Sequence, residues 1–586
     1  MCGIMGYVGD RTASLVLKKG LKSLEYRGYD SAGIATIDKT ISVIKDIGKI
    51  DEIEWNLGLL KGNIGIAHTR WATHGGVTKD NAHPHLSCDQ SIAVVHNGII
   101  ENFAELRKEL EKKGHVFRSE TDTEVIAHLI EEQMKGADFE TAAFETVKRL
   151  KGAFAIVAIS SKSDKLLAFR KESPLIIGLG QKENFIASDA YPFLEYTKKA
   201  VFLDDNEAAV LAKDRVDFYD FNRNKVSKSP TVLEWDLKSA GKNGYEHYLI
   251  KEIYEQPLVI KQTLAQDEGK LKEAARLIQS APRICIIGAG TARHAAIVGR
   301  YIIGEITGKF CDVQMASEFQ YFIDKIDKNS VIIAVSQSGE TADVLIPVKK
   351  AKKNGCKIIS IVNVVGSSLD RESDLSLYLN CGPEISVAST KAFTAQVLMF
   401  YLIAYTMSYK LEEGKRLLGQ LSSKIQETIK STEPTVKKFA EYMKTKSDAY
   451  YIARGENFAI AIEGSLKLKE ISYIHAEGMP AGELKHGTLS LVTDGVPVIV
   501  IAPKDHTYEE TIANAHEAKA RGAYIVGISD ENNETFDVWL KIPKVDPIFY
   551  PILTNIPCQL IAYYTAKAKG NDVDKPRNLA KSVTVK

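Results

Sequence analysis

No stretch of this 586-residue chain approaches the roughly 18 apolar residues that a membrane-crossing helix needs, so a membrane partner is not expected. Neither sign of charge is in excess. Seventy-six Lys and Arg stand against 75 Asp and Glu, and a net charge of +1 offers no basic field to nucleic acid. Cysteine is sparse: seven are scattered at positions 2, 88, 285, 311, 356, 381 and 558, with no CxxC pair among them. That excludes a disulfide framework and the common zinc-finger spacings, and fits reduced thiols in a cytoplasm. HExxH is missing too, so the histidines at 68, 74, 83 and 85 carry no metal motif and no metal is expected there. No secretory leader is expected at the N-terminus, because Arg11, Lys18 and Lys19 interrupt any apolar core.

What is present is an ordinary globular composition, 45% hydrophobic and 26% charged, in a chain too long for one core. Residues 1 to about 236 read as short β-runs such as Ile92–Val95 and Ala155–Ile159, with few helices. The clearest helix is expected to begin at Thr121, with Thr121 and Glu124 as a capping box ahead of Val125, Ile126, Leu129 and Ile130. Such a mixture suits a layered α+β domain over 1–240. Residues 241–247 are apolar-poor and read as a linker. Beyond them short apolar strands alternate with long helical stretches, the pattern of a doubly wound parallel sheet. Cys285 falls inside one of these strands and reads as core.

The second half also repeats itself. Ile284–Gly290 matches Ala449–Gly455, Ala316–Phe319 matches Ala481–Leu484, Ala334–Ser336 meets Val500–Ala502, and Ser360–Asn363 meets Gly527–Asp530, in order and at a nearly constant offset. Two copies of one α/β domain are therefore expected, over 248–428 and 429–575, with 576–586 as a tail.

Two motifs carry chemistry. Cys2 follows Met1 directly, so removal of Met1 would leave a thiol and a free α-amine on one residue. The amine titrates at roughly 7.7–8.0 and the thiol at about 8.5, so the amine can accept the thiol proton. Ser336-Gln337-Ser338-Gly339-Glu340-Thr341 follows the apolar run Val331–Val335 and precedes a helical stretch. A polar turn of this kind offers backbone N–H groups and three hydroxyls to a phosphate. The second copy has Ala502-Pro503-Lys504-Asp505 in its place, so one copy is expected to bind phosphate and the other to have a different use. Gly288-Ala289-Gly290 is not a dinucleotide fingerprint, since Arg293 stands where its third glycine belongs.

Read end to end, the chain resembles the glutamine–fructose-6-phosphate aminotransferase (isomerizing) family, also called glucosamine-6-phosphate synthases. In the first domain the resemblance rests on Cys2-Gly3-Ile4, Tyr26–Gly33, His68–Gly75, His96–Asn102 and Glu120–Glu124. In the second half it rests on Ser336–Thr341, Val387–Lys391, Leu466–Ile471, Gly482–Gly487 and Pro576–Val585. It implies an N-terminal-nucleophile glutaminase (class II glutamine amidotransferase, layered αββα), then two sugar-isomerase (SIS) domains. It also implies a homodimer or higher oligomer and no metal or organic cofactor. The implied substrates are L-glutamine and fructose 6-phosphate, and the product glucosamine 6-phosphate opens amino-sugar (UDP-N-acetylglucosamine) synthesis. A different ketose phosphate is the alternative acceptor.

The resemblance also implies roles. Cys2 attacks the glutamine amide, and Asn97 with the Gly98 N–H stabilises the oxyanion. Arg70, Trp71, Thr73, His74 and Asp122 bind glutamine, Arg70 at its carboxylate and Asp122 at its ammonium, and Trp71 gates the passage of ammonia. Ser336, Gln337, Ser338 and Thr341 hold the sugar phosphate, while Gly290, Thr291, Val387, Ser389, Lys467 and Ala580 line the sugar. Glu470 moves the proton between C1 and C2, a neighbouring subunit's copy of His486 opens the ring, and Lys581, on the tail that closes the site, engages the ketone. Lys467 or Lys485 is expected as a cation that lowers the Lys581 amine's basicity. One departure stands out: the family's Cys-Gly-Thr-Ser is here Ala289-Gly290-Thr291-Ala292, which removes a hydroxyl, and Arg293 is the candidate to compensate.

Overall fold

The computed structural model describes residues 2–72, 74–233 and 241–584. By its internal contacts the chain divides into two units, Met1–Lys238 with Ala580–Lys586, and Ser239–Leu579.

The first unit is built on two antiparallel sheets. One has eight strands, with Gly3–Val8 near its middle between Asn184–Ala187 and Ile64–Arg70. The other has six, with Ile92–Ile100 paired to Gly152–Ser160 along nine residues. Alternate residues of both sheets meet in a shared core that includes Ile4, Ile66, Val95, Val157 and Ile177. The outer face of the first sheet is covered by helix Ala13–Leu24. That of the second is covered by Phe103–Lys112, Glu124–Gln133 and Phe139–Arg149. Central strands buried on both faces explain why Gly3–Val8 and Ile64–Arg70 read as continuous runs rather than alternating ones. The result is the expected αββα layering.

One local expectation fails. The helix begins at Glu124, and its cap residue Thr123 makes no side-chain cap bond. Thr121 Oγ1 bonds His85 Nε2 instead, and Glu124 reaches back to the N–H groups of Arg118 and Ser119. Neither half of a capping box forms: the Glu124 carboxylate holds N–H groups upstream of the cap, and His85 has taken the Thr121 hydroxyl.

The second unit holds two five-stranded parallel sheets. In chain order both run 2-1-3-4-5: Ile284–Gly288, Asp312–Met315, Val331–Ser336, Lys357–Val362 and Leu375–Tyr378 in one; Asp448–Ala453, His475–Pro480, Pro497–Ile501, Tyr524–Ser529 and Val538–Lys541 in the other. Each pair of segments matched in the sequence occupies the same topological position, so the duplication is real. Cys285 is fully buried, as expected. A single large core joins the copies through helices Thr291–Thr307, Lys391–Met407, Asn457–Ser472 and Tyr550–Ala568. Every residue of Lys391–Met407 is buried, which is why that helix is apolar all round. Helix Leu411–Met443 runs unbroken through the expected division at 428/429.

Candidate active sites

Cys2 precedes the central strand Gly3–Val8, whose register sets Gly3 against Thr69 and Ile4 against His68. Its Sγ accepts the Trp71 N–H at 3.2 Å, and its carbonyl accepts Asn97 Nδ2 at 3.0 Å and Arg27 Nε at 3.3 Å. Burial pushes the Cys2 thiol up, while the Trp71 N–H and the Arg70 charge pull it down. Asn97 comes from the opposite sheet. Its Oδ1 lies 3.0 Å from His68 Nε2, which is also 3.1 Å from the His96 carbonyl. A carbonyl only accepts, so His68 carries its proton on Nε2 and fixes the amide with its Nδ2 toward Cys2. Burial lowers the His68 pKa to about 3 and so keeps that ring neutral. Gly98 adopts φ +123°, and a Cβ there would stand 2.0 Å from the Ala153 carbonyl. Only glycine fits this position.

Of the residues expected to bind glutamine, Trp71 touches Cys2 directly and the other described ones have these partners. Arg70 turns both Nη atoms to the carbonyls of His74, Gly75 and Gly76, so it holds the loop that carries Trp71 and His74. Trp71 packs edge-on against Tyr29, and His74 against Phe103. Asp122 is buried and accepts the Ile100 N–H with Oδ2. Thr73 lies outside the described residues.

In the second unit, the turn Ser336–Thr341 and the turn after Ile284–Gly288 flank the point where strand order reverses, the usual ligand crevice of such sheets. Ser336 Oγ accepts the Gly339 N–H and lies 3.3 Å from Thr341 Oγ1, and Ser338 Oγ accepts the Glu340 N–H. The Gln337 carbonyl accepts the Asn363 N–H. Thr341 caps helix Ala342–Lys353 without a side-chain cap bond, leaving the helix N-terminus to an anion. Gly290 has φ +52° and caps helix Thr291–Thr307. Ser389 Oγ donates to the buried Glu384, and Val387 is tied by its N–H to the Asp574 carbonyl.

Helix Asn457–Ser472 presents Glu463, Lys467 and Glu470 on one face. Lys467 Nζ lies 2.6 Å from Glu470, 3.5 Å from Glu463 and 3.1 Å from Thr291 Oγ1. Glu463 also holds Thr291 Oγ1 at 3.0 Å and His294 Nδ1 at 2.7 Å. Burial alone would weaken the Lys467 charge, but Glu470 and Glu463 outweigh it and hold this ammonium above its ordinary range.

The same division into two machineries appears in comparison with known proteins. A glutamine amidotransferase domain model matches residues 68–195, and an SIS domain model matches twice, at 277–406 and 442–568. Glutamine–fructose-6-phosphate aminotransferases (isomerizing) of Thermococcus kodakarensis and Aquifex aeolicus are 48% and 47% identical to this chain, each alignment covering both proteins whole. The chain belongs to this aminotransferase family. The solved C-terminal domain of the glucosamine–fructose-6-phosphate aminotransferase from Francisella tularensis aligns at TM-score 0.53 and 35% identity, covering 57% of this chain and 99% of that one.

Against the family pattern, the structure adds residues that motif reading passed over. His68 orients Asn97; it sits in a matched segment, but its role needed the second sheet. Glu463 and His294 complete the Lys467 network, and the i, i+4, i+7 spacing of Glu463, Lys467 and Glu470 was a usable signal. The structure also corrects one expectation. Neither Lys467 nor Lys485 is a free cation, since Lys467 is matched by two carboxylates and Lys485 pairs with Glu517 at 2.9 Å. His486 is exposed and pairs with none of the Glu463–Lys467–Glu470 set. Ala580 and Lys581 lie in the segment that groups with the first unit. Arg293 is half-buried with no partner for its Nε.

Proposed function

We propose that the chain transfers the amide nitrogen of L-glutamine to fructose 6-phosphate and isomerises the product to glucosamine 6-phosphate. Removal of Met1 frees the Cys2 amine, which takes the thiol proton. Sγ then adds to the side-chain amide carbon of glutamine. Asn97 Nδ2 and the Gly98 N–H take the oxyanion, ammonia leaves, and water hydrolyses the γ-glutamyl thioester to glutamate. Arg70, Trp71, Thr73, His74 and Asp122 form the glutamine site in this reading.

The ammonia is delivered to the open-chain ketone, forms an imine with loss of water, and a proton passes from C1 to C2. Glu470 is the group assigned that proton, and Lys467, 2.6 Å away, positions its carboxylate. Ser336, Gln337, Ser338 and Thr341 take the phosphate, and Gly290, Thr291, Val387 and Ser389 line the sugar. Ala580, Lys581 and a neighbouring copy's His486 are assigned by family resemblance; the exposure of His486 suits a residue offered to another subunit. The boundaries at 240, 247, 428 and 575, a homodimer or larger assembly, and a cytoplasmic setting belong to the same reading. No helix among the described residues is long and apolar enough to cross a membrane.

The observation that carries the proposal is Cys2 held beside an amide whose orientation is dictated by His68, in a chain that also builds Lys467 between two carboxylates. The test follows glutamate release from glutamine with and without fructose 6-phosphate, assaying glucosamine 6-phosphate in the same tube. Sugar-stimulated glutamate matched by equal amino sugar is expected. Glutamate without amino sugar would assign another acceptor, with Ala292 the first residue to restore to Ser.

A further inference from the structure

Away from both sites, three separated segments of the first unit converge. Cys88 lies in the turn between His85–Leu86 and Ile92–Ile100, His115 follows helix Phe103–Lys112, and His128 and Glu131 stand one turn apart on helix Glu124–Gln133. One ligand atom from each lies within 4.8 Å of all the others. Cys88 Sγ is 3.6 Å from His115 Nδ1 and 3.5 Å from His128 Nδ1. Glu131 Oε2 is 3.0 Å and 3.4 Å from the same two nitrogens.

These four separations are close to those between ligands of a four-coordinate zinc. Zn–S of about 2.3 Å and Zn–N or Zn–O of about 2.0–2.1 Å place S and N about 3.6 Å apart and N and O about 3.3 Å apart. The far side of the His115 ring suits the same role: its Nε2 lies 3.1 Å from Glu132 Oε2, which would accept the Nε2 proton while Nδ1 faces the ion. Glu131 Oε2 also accepts the Cys88 N–H at 3.1 Å, and Cys88 Sγ accepts the Val116 N–H at 3.4 Å, so the sulfur and the carboxylate are both held facing the two rings. Carboxylates behind metal-bound imidazoles are the usual outer support of such sites.

We propose that Cys88, His115, His128 and Glu131 form a zinc site, with Glu132 orienting the His115 imidazole. One soft sulfur, two nitrogens and one oxygen select zinc over the hard oxygen-seeking cations. All four positions are protein atoms, so the site is structural rather than catalytic. Cys88 binds as thiolate, its proton passing to solvent. The ion ties helix Glu124–Gln133, which directly follows Asp122, to the turn at 88 and the chain after 112. A cavity of about 750 Å³ lined in part by Cys88, Val116, Glu124 and His128 provides a route of entry. The expectation of no metal rested on missing motifs and on the family resemblance, and this set escapes the motifs because its ligands are far apart in sequence.

The test is elemental analysis of the full-length chain after zinc supplementation and desalting, beside Cys88→Ser and His128→Gln. About one zinc per chain is expected in the parent and less than about a tenth in either variant. Cobalt substitution should add a thiolate-to-metal charge-transfer band that Cys88→Ser abolishes. Cys88, exposed at the surface, should resist alkylation until a chelator is added. Glu132→Gln should weaken zinc binding by about 10–100-fold. Circular dichroism and glutaminase activity confirm that each protein is folded. A folded parent chain with neither zinc nor a cobalt band overturns the proposal, as does a zinc content unchanged by Cys88→Ser.

Discussion

Asn97 is aimed by its neighbour. With His68 Nε2–H on its oxygen, the amide has one orientation and its nitrogen faces Cys2. Asn97→Ala should therefore lower kcat for glutamate release by about 10²–10³-fold. His68→Gln should lower kcat more than it raises KM, since it releases the donor without touching substrate. The same ring makes stability depend on pH. Its folded pKa near 3 lies below the unfolded value of 6.5, so the unfolded chain binds a proton that the native one refuses. The stabilising effect is complete above about pH 6.5 and fades as pH falls toward 3. Between pH 7.5 and pH 5 the loss is about 2 kcal/mol. Denaturant midpoints at those two pH values should converge in His68→Gln relative to the parent. Lys467 poses the opposite problem, a buried cation shared by two carboxylates. Lys467→Met takes the cation from Glu470 and leaves Glu463 only Thr291 and His294, so it should cost about 3–5 kcal/mol of stability along with amino-sugar formation, while thermal melting separates the two effects.

Turns decide where the chemistry sits. Gly339 has φ +66°, and a Cβ there would stand 2.1 Å from Ser367 Oγ, so the phosphate turn closes only around glycine. Gly339→Ala should cost at least about 1–2 kcal/mol and weaken sugar-phosphate affinity while leaving basal glutamine hydrolysis intact. Titration with fructose 6-phosphate checks the first effect on binding, and a glutaminase assay without sugar checks the second. Element type was legible wherever burial matched local pattern, as in the apolar strands before Gly288 and Ser336. The start of helix Glu124–Gln133 was not, because Thr121 found a better partner in His85 across the sheet. A capping box is a local wager that tertiary contacts can overrule.

The duplication gives the second unit two equivalent crevices with unequal equipment. The first has three hydroxyls and an open helix N-terminus. In the second, Lys504 pairs with Glu509 and its N–H donates to Asp530. Calorimetric titration should accordingly find about one fructose 6-phosphate per chain rather than two, with binding lost in Ser338→Ala/Thr341→Ala. The order of strands and helices and the repeat were written in the amino-acid order, because periodicity and glycine placement act over a few residues, and the proposed nucleophile and phosphate turn rest on the same local signals. Which groups touch was not. His68 meets Asn97 only because two sheets stack, Glu463 reaches His294 only because the two α/β copies share one core, and Cys88 meets His115 and His128 only because three segments fold to one point. Contacts between residues distant in the chain leave no spacing to read, and burial, which sets their charge states, exists only once the layers have closed.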